Sequence, residues 1–211
     1  MDNIKAIIFD MDGVLIEAKE WHFESLNRAL GLFGMEISRH EHLVTYDGLP
    51  TKKKLEMISL ERGLSYKLHN FINEMKQIYT MELIYTKCKP VFYHQYALAR
   101  LKREGYRIAV GSNSIFKTVE TMMELSQLVE YLEFFLSNQD VGKPKPDPEM
   151  YITAINRFGL KPAECLIVED NENGIKAALA SGAHLLKVSS VEEVNYQNII
   201  TTIRTLEGDA C

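Results

Sequence analysis

Short, nearly continuous apolar runs recur along the chain, separated by segments whose apolar residues fall at helical spacing. The runs are Lys5–Phe9, Arg107–Val110, Glu133–Leu136, Cys165–Val168 and His184–Val188. A strand reads as an unbroken apolar run when helices cover both faces of its sheet, so these five predict a parallel sheet. Phe116–Leu125, Pro148–Phe158 and Asn173–Ala180 predict helices between them, with Gly159 and Gly182 placed where C-terminal caps belong. Strand alternating with helix is the pattern of an α/β fold.

One interval breaks the rhythm. About a hundred residues separate Phe9 from Arg107, where a whole βαβ unit needs roughly 30. The surplus is helical in pattern: Trp21–Phe33, Lys52–Leu60 following Pro50, and Leu68–Ile84. The expected organisation is a Rossmann-like parallel-sheet core made of residues 1–16 and 89–211, with a small α-helical cap domain inserted at 17–88. No internal repeat or low-complexity segment is present, and the tail after Leu206 is expected to fray.

The 211 residues are 46% hydrophobic and 25% charged, which is ordinary globular composition. Twenty-nine acids against 24 bases give a net charge of −5, opposite to the basic footprint of a non-specific nucleic-acid binder. No apolar run approaches the roughly 20 residues of a membrane span, and acids interrupt the first apolar stretch too early for a signal peptide. Cys88, Cys165 and Cys211 are too few and too scattered for a disulfide framework or a zinc cluster. These features predict a cytoplasmic protein with neither nucleic acid nor membrane as partner.

Four places along the chain carry chemistry. The first strand runs into Asp10-Met11-Asp12-Gly13, two carboxylates two residues apart where open α/β sheets bind ligands. The second ends in Ser112-Asn113 ahead of a helix, whose N-terminus favours an anion. Gly142-Lys143-Pro144-Lys145-Pro146-Asp147 places lysines in a proline-stiffened loop, and the fourth strand ends in Glu169-Asp170. Each piece has a plain alternative. Asp12 can be a turn acid, Ser112 a helix cap and Lys143 a solvated lysine. His40 and His42 form an H-x-H best read as surface histidines, and Lys52, Lys53 and Lys54 are best read as a solvated helix face. Asp147-Pro148 reads as a helix start.

In this order the four sites resemble the haloacid dehalogenase superfamily, and within it the beta-phosphoglucomutase-like phosphatase subgroup with a helical cap. Phe9-Asp10-Met11-Asp12-Gly13-Val14-Leu15 resembles the first motif, Ser112 the second, Lys143 the third and Glu169-Asp170 the fourth. Lys145 is then a bystander. His22, twelve residues after Asp10, matches the histidine that opens the cap in that subgroup, and its role divides between a cap–core hinge network and plain packing.

The resemblance implies Asp10 as nucleophile and Asp12 as general acid, then base, with Mg²⁺ held by Asp10, Asp170 and the Asp12 carbonyl. Glu169 is implied as a direct or water-bridged metal ligand. Ser112, the Asn113 amide and Lys143 are implied to hold the phosphoryl group. Tyr46–Thr51 resembles the cap loop of the family, so His22, Gly48, Thr51 and Lys52 are the expected cap residues facing substrate. Thr51 stands where the mutase has an arginine, and Ser114-Ile115 where it has a lysine. Both departures favour hydrolysis.

The expectation is a Mg²⁺-dependent phosphatase acting through an aspartyl-phosphate on a small phosphorylated metabolite such as a sugar or polyol phosphate. A phosphomutase is the alternative. A phospho-accepting receiver carries similar residues in the opposite order and has no use for a cap. The expected oligomeric state is a monomer or weak dimer.

Overall fold

The structure is a computed structural model and describes residues 3–46 and 49–208. In chain order, β1 (Ala6–Phe9) is followed by α1 (Lys19–Gly31), the single turn α2 (Arg39–Glu41), a π-helical turn at His42–Tyr46, α3 (Thr51–Arg62) and α4 (His69–Lys87). Then come α5 (Phe92–Arg103), β2 (Arg107–Gly111), α6 (Phe116–Leu125), β3 (Phe134–Leu136), α7 (Glu149–Phe158), β4 (Cys165–Glu169), α8 (Glu172–Ser181), β5 (His184–Lys187) and α9 (Tyr196–Glu207). The chain divides into two compact units. One contains the residues up to Glu17 and from Lys89 onward, and the other is Ala18–Cys88.

The larger unit is an α/β core. Its five strands are all parallel, in the order β3-β2-β1-β4-β5. The strands of β1, β2 and β4 are apolar on both faces because helices cover both. Ala6, Ile8, Ala109, Cys165 and Ile167 pack with Met150, Tyr151, Ala154, Ile155 and Phe158 of α7 and with Ala177 and Ala178 of α8. The order of strand addition reverses at β1, with β2 and β3 on one side and β4 and β5 on the other, so a crevice opens at the carboxyl ends of β1 and β4. Register makes that crevice exact in its membership: Phe9 lies beside Val110 on one side and Val168 on the other, so Asp10, Gly111 and Glu169 emerge together.

Two core helices, α5 and α9, lie outside the segments read as helical from the sequence. α5 buries Ala97, Leu98 and Leu101, but a histidine, His94, fills the remaining slot of the stripe. α9 buries Ile199, Ile200 and Ile203. The expected fraying after Leu206 does not begin there: α9 continues to Glu207, whose carboxylate accepts the Ile4 N–H at 2.8 Å. Residues 209–211 lie outside the described residues.

The smaller unit is helical, built on its own core of Leu26, Ala29, Leu30, Ile37, Tyr46, Leu55, Ile58, Leu64 and Ile72. Two readings of its surface need correction. Lys54 is buried while Lys52 and Lys53 are exposed, because only Lys54 lies on the side of α3 that carries Leu55 and Ile58 inward. His40 is exposed, but His42 is 2% exposed with its ring beside Phe23, 5.0 Å between centroids. No helix among the described residues is long and apolar enough to cross a membrane.

His94 makes a pH-dependent demand on the core. Its Nε2 lies 3.0 Å from the Val191 carbonyl, which fixes that nitrogen as the donor, and its Nδ1 is buried without a partner. Burial holds its pKa below the usual 6.5, against the opposing pull of the Val191 carbonyl and Glu192. The folded state therefore binds this proton less readily than the unfolded chain. Stability from this group is intact above about pH 6.5 and falls as pH drops below it. His94→Gln, which can still donate to Val191, is expected to flatten the pH dependence of urea unfolding between pH 7 and pH 5. Identical slopes for the two proteins would contradict this origin.

Candidate active site

Asp10 is the first residue past β1, and its N–H still pairs with the Val168 carbonyl at 3.0 Å. The backbone therefore remains in sheet register while its side chain enters the crevice, where the residue is 8% exposed. The turn that follows needs Gly13, whose φ of +90° is costly for a residue with a side chain. Asp12 accepts a hydrogen bond at Oδ2 from the Ser114 hydroxyl, 3.0 Å away.

Asp10 Oδ1 accepts from the Lys145 ammonium at 2.6 Å. Lys145 donates also to Glu169 Oε1 and to the Gly111 carbonyl, both at 2.8 Å, which uses all three of its N–H bonds. Its side chain is 4% exposed. Lys143, the expected phosphate lysine, instead lies at the rim with a side chain 76% exposed and its ammonium 3.9 Å from Asp147. The reason is backbone anchoring. Glu149 at the start of α7 accepts the N–H groups of Gly142 and Lys143 and ties that stretch to the surface. Asn113 meanwhile accepts the Lys145 N–H at 3.0 Å and donates to the Lys145 carbonyl at 3.1 Å. The side chain of Asn113, expected only near phosphate, thus clamps the lysine loop.

Ser112 is buried, and its hydroxyl accepts the Ser114 N–H at 3.0 Å. It does not cap α6, whose first N–H, from Phe116, goes to Gln139. Glu169 is fully enclosed. Its Oε1 receives Lys145 and the Tyr151 hydroxyl, the latter at 2.5 Å, and its Oε2 receives the N–H groups of Asp170 at 3.1 Å and Asn171 at 3.4 Å. It fits only because residue 174 is glycine: a Cβ there would lie 1.7 Å from Oε1.

The charges do not balance on protein groups alone. One lysine sits among Asp10, Glu169 and the nearby Asp170 and Asp12. Burial pushes the Asp10 carboxyl well above its ordinary value; Lys145 opposes this, and Glu169, Asp170 and Asp12 add to it. Burial alone would depress the Lys145 pKa, but Asp10 and Glu169 outweigh it and raise it. Burial, with Glu169 and Asp10 behind it, also lifts the Tyr151 phenol well above 10, which keeps the hydroxyl protonated and able to donate to Glu169. Oxygens of Asp10, Glu169 and Asp170 lie within 4.8 Å of one another, a concentration of negative charge suited to a hard divalent cation.

The expected cap residues belong to the smaller unit. His22 lies on α1 with Nδ1 3.5 Å from the Lys76 ammonium. Thr51 and Lys52 open α3, with Lys52 exposed. Gly48 lies outside the described residues.

A family model described as haloacid dehalogenase-like hydrolase matches residues 7–188, a span that takes in all the acids, the hydroxyls and both lysines above. The chain belongs to the haloacid dehalogenase-like hydrolases. It is 26% identical over 190 residues to the pyrophosphatase PpaX of Bacillus velezensis, covering 85% of this chain and 81% of that protein. It is also 26% identical over 182 residues to a phosphorylated carbohydrates phosphatase of Thermotoga maritima, covering 85% and 82%. The beta-phosphoglucomutase of Clostridium difficile shares its fold, with a TM-score of 0.83 at 19% identity over 97% of this chain and 99% of that one. Among haloacid dehalogenase-like hydrolases, then, this chain has relatives named as enzymes that act on phosphorylated substrates.

Tyr151 and Gly174 carry no mark in the sequence, while Lys145 reads there as a bystander and Ser114 only as a departure from the mutase. Lys143 and Lys145 flank one proline and are chemically identical, so only the anchoring by Glu149 and Asn113 separates them.

Proposed function

We propose that the chain is a Mg²⁺-dependent phosphatase of small phosphorylated metabolites of the sugar- or polyol-phosphate class, working in the cytoplasm as a monomer or weak dimer. The observation that carries the reading is the buried Asp10–Lys145–Glu169 cluster at the carboxyl ends of β1, β2 and β4. A carboxylate held by a lysine and surrounded by further acids is suited to nucleophilic attack on a phosphoryl group.

In this reading an Asp10 oxygen attacks phosphorus, the ester P–O bond breaks, and the departing oxygen takes a proton from Asp12. Water then gives a proton to Asp12 and attacks phosphorus. The bond to Asp10 breaks, releasing phosphate and restoring the carboxylate. Ser114, donating to Asp12, orients that acid. Ser112 and the Asn113 amide face the phosphoryl oxygens.

Asp10, Asp170 and the Asp12 carbonyl would hold Mg²⁺, and Glu169, with both oxygens already engaged by protein donors, contributes charge at the cluster rather than a direct ligand. When bound, the cation offsets the charge of the substrate dianion and of the carboxylates. Substrate choice falls to the helical unit, with His22, Gly48, Thr51 and Lys52 as candidates.

Phosphate release from a panel of phosphorylated sugars, polyols and small acids tests the reading. Mg²⁺-dependent release that stops in EDTA is the expected result. Full release in EDTA would contradict the metal site, and sugar-phosphate isomerisation without net release would replace hydrolysis with a mutase reaction.

A further inference from the structure

We propose that Tyr151 is a positioning residue for the Lys145–Asp10 pair, acting through Glu169; the inference rests on Asp10 being the nucleophile. The hydroxyl of Tyr151 donates to Glu169 Oε1 at 2.5 Å, the same oxygen that receives Lys145 at 2.8 Å. The ring lies beneath the ammonium, 4.6 Å from centroid to Nζ, and the residue is 0% exposed. Tyr151 therefore touches no solvent, and its contacts with the cluster run to Glu169 and Lys145.

Lys145 has three N–H bonds and three acceptors, so its direction toward Asp10 is only as firm as the other two acceptors. The Gly111 carbonyl is fixed by β2. Glu169 is a flexible side chain and needs its own restraint. Its backbone donors, Asp170 and Asn171, approach at 3.1 and 3.4 Å, the second long for a good hydrogen bond. On another side it is bounded by Gly174, which leaves room for the carboxylate and nothing else. The short bond from Tyr151 is the one that fixes Oε1.

A phenol suits this task because it is neutral. A second cation at that place would draw Glu169 away from Lys145 and weaken the negative field that a metal requires. Tyr151 restrains the carboxylate without changing the charge of the cluster.

The test uses Tyr151→Phe, which keeps the ring and removes only the hydroxyl. With p-nitrophenyl phosphate and Mg²⁺, kcat is expected to fall roughly tenfold with KM within about twofold, as for loss of a hydrogen bond to a charged group away from the substrate. In a Glu169→Gln background the same substitution is expected to add less than about twofold, because its route has been removed. In ¹⁵N-labelled, metal-free protein, the slowly exchanging Lys145 ammonium resonance, assigned with Lys145→Met, is expected to shift or broaden in Tyr151→Phe.

An unchanged kcat with an unmoved resonance would overturn the proposal. A full tenfold further loss in the Glu169→Gln background would also overturn it, since Tyr151 would then act by another route. Asp10→Asn on the same substrate separates the two levels. Wild-type turnover there would remove the nucleophile assignment, while the Lys145 resonance would still decide whether Tyr151 positions the lysine.

Discussion

Asp10→Asn is expected to lower phosphatase turnover by on the order of 10⁴-fold or more, while the metal-free protein melts no lower than the wild type. The first part follows from what an amide cannot do. It keeps the shape of the carboxylate and can still accept from Lys145, but it has no charge with which to attack phosphorus. Loss of a nucleophile removes the covalent route altogether, which is the largest category of catalytic defect. The second part follows from the environment of Asp10. Burial, together with Glu169, Asp170 and Asp12, holds its carboxyl well above the ordinary range despite Lys145. A carboxyl raised in the folded state contributes stability at low pH and loses it as pH rises through the raised value. At neutral pH the ionised form thus opposes folding when no metal is present, and the neutral amide relieves that opposition. Phosphate release and thermal melting in EDTA check the two parts separately. Turnover near wild type would mean that the nucleophile lies elsewhere; a melting temperature well below wild type would mean that the Asp10–Lys145 pair outweighs the repulsion.

The core was legible because its chemistry follows strands. Asp10, Ser112 and Glu169 each end or follow an apolar run, and parallel register brings such positions to one edge without any knowledge of packing. The loop lysine has no such guide. In Lys143-Pro144-Lys145 the two candidates share a composition, and the decision rests on hydrogen bonds to Glu149 and Asn113 that come from elsewhere in the chain. Tyr151 was hidden for a different reason. It falls on the apolar stripe of α7 beside Met150, Ala154 and Ile155, so a periodicity reading assigns it to packing and passes over its hydroxyl. Gly174 was hidden because closeness to Glu169 leaves no trace in a pattern of apolar and polar positions. In the helical unit, burial of Lys54 and His42 runs against residue type, which sequence reasoning follows by default.

Lys145→Ala is expected to lower turnover by about 10²–10³-fold, whereas Lys143→Ala leaves it within about twofold. Lys145 holds the Asp10 oxygen at 2.6 Å and is the cation that faces Asp10 and Glu169 together. Without it the two carboxylates confront each other in a buried site, and an arriving phosphoryl dianion meets uncompensated negative charge. Removing one member of a buried ion pair costs about 3–5 kcal/mol of stability. Lys145→Arg is not expected to restore activity, because a planar guanidinium cannot reach Asp10, Glu169 and the Gly111 carbonyl from one nitrogen. Lys143 offers the opposite case: its side chain is 76% exposed, and its distant pairing with Asp147 lies in a geometry where surface charges contribute little. The two variants lie two positions apart in a repeated Lys-Pro dipeptide, share the same change in net charge and modify the same loop. A defect confined to Lys145→Ala, measured as kcat on one substrate with Mg²⁺ present, is therefore a statement about the buried cluster and not about loop charge. Equal defects in both variants would place the phosphate contact at the rim and return Lys143 to the site.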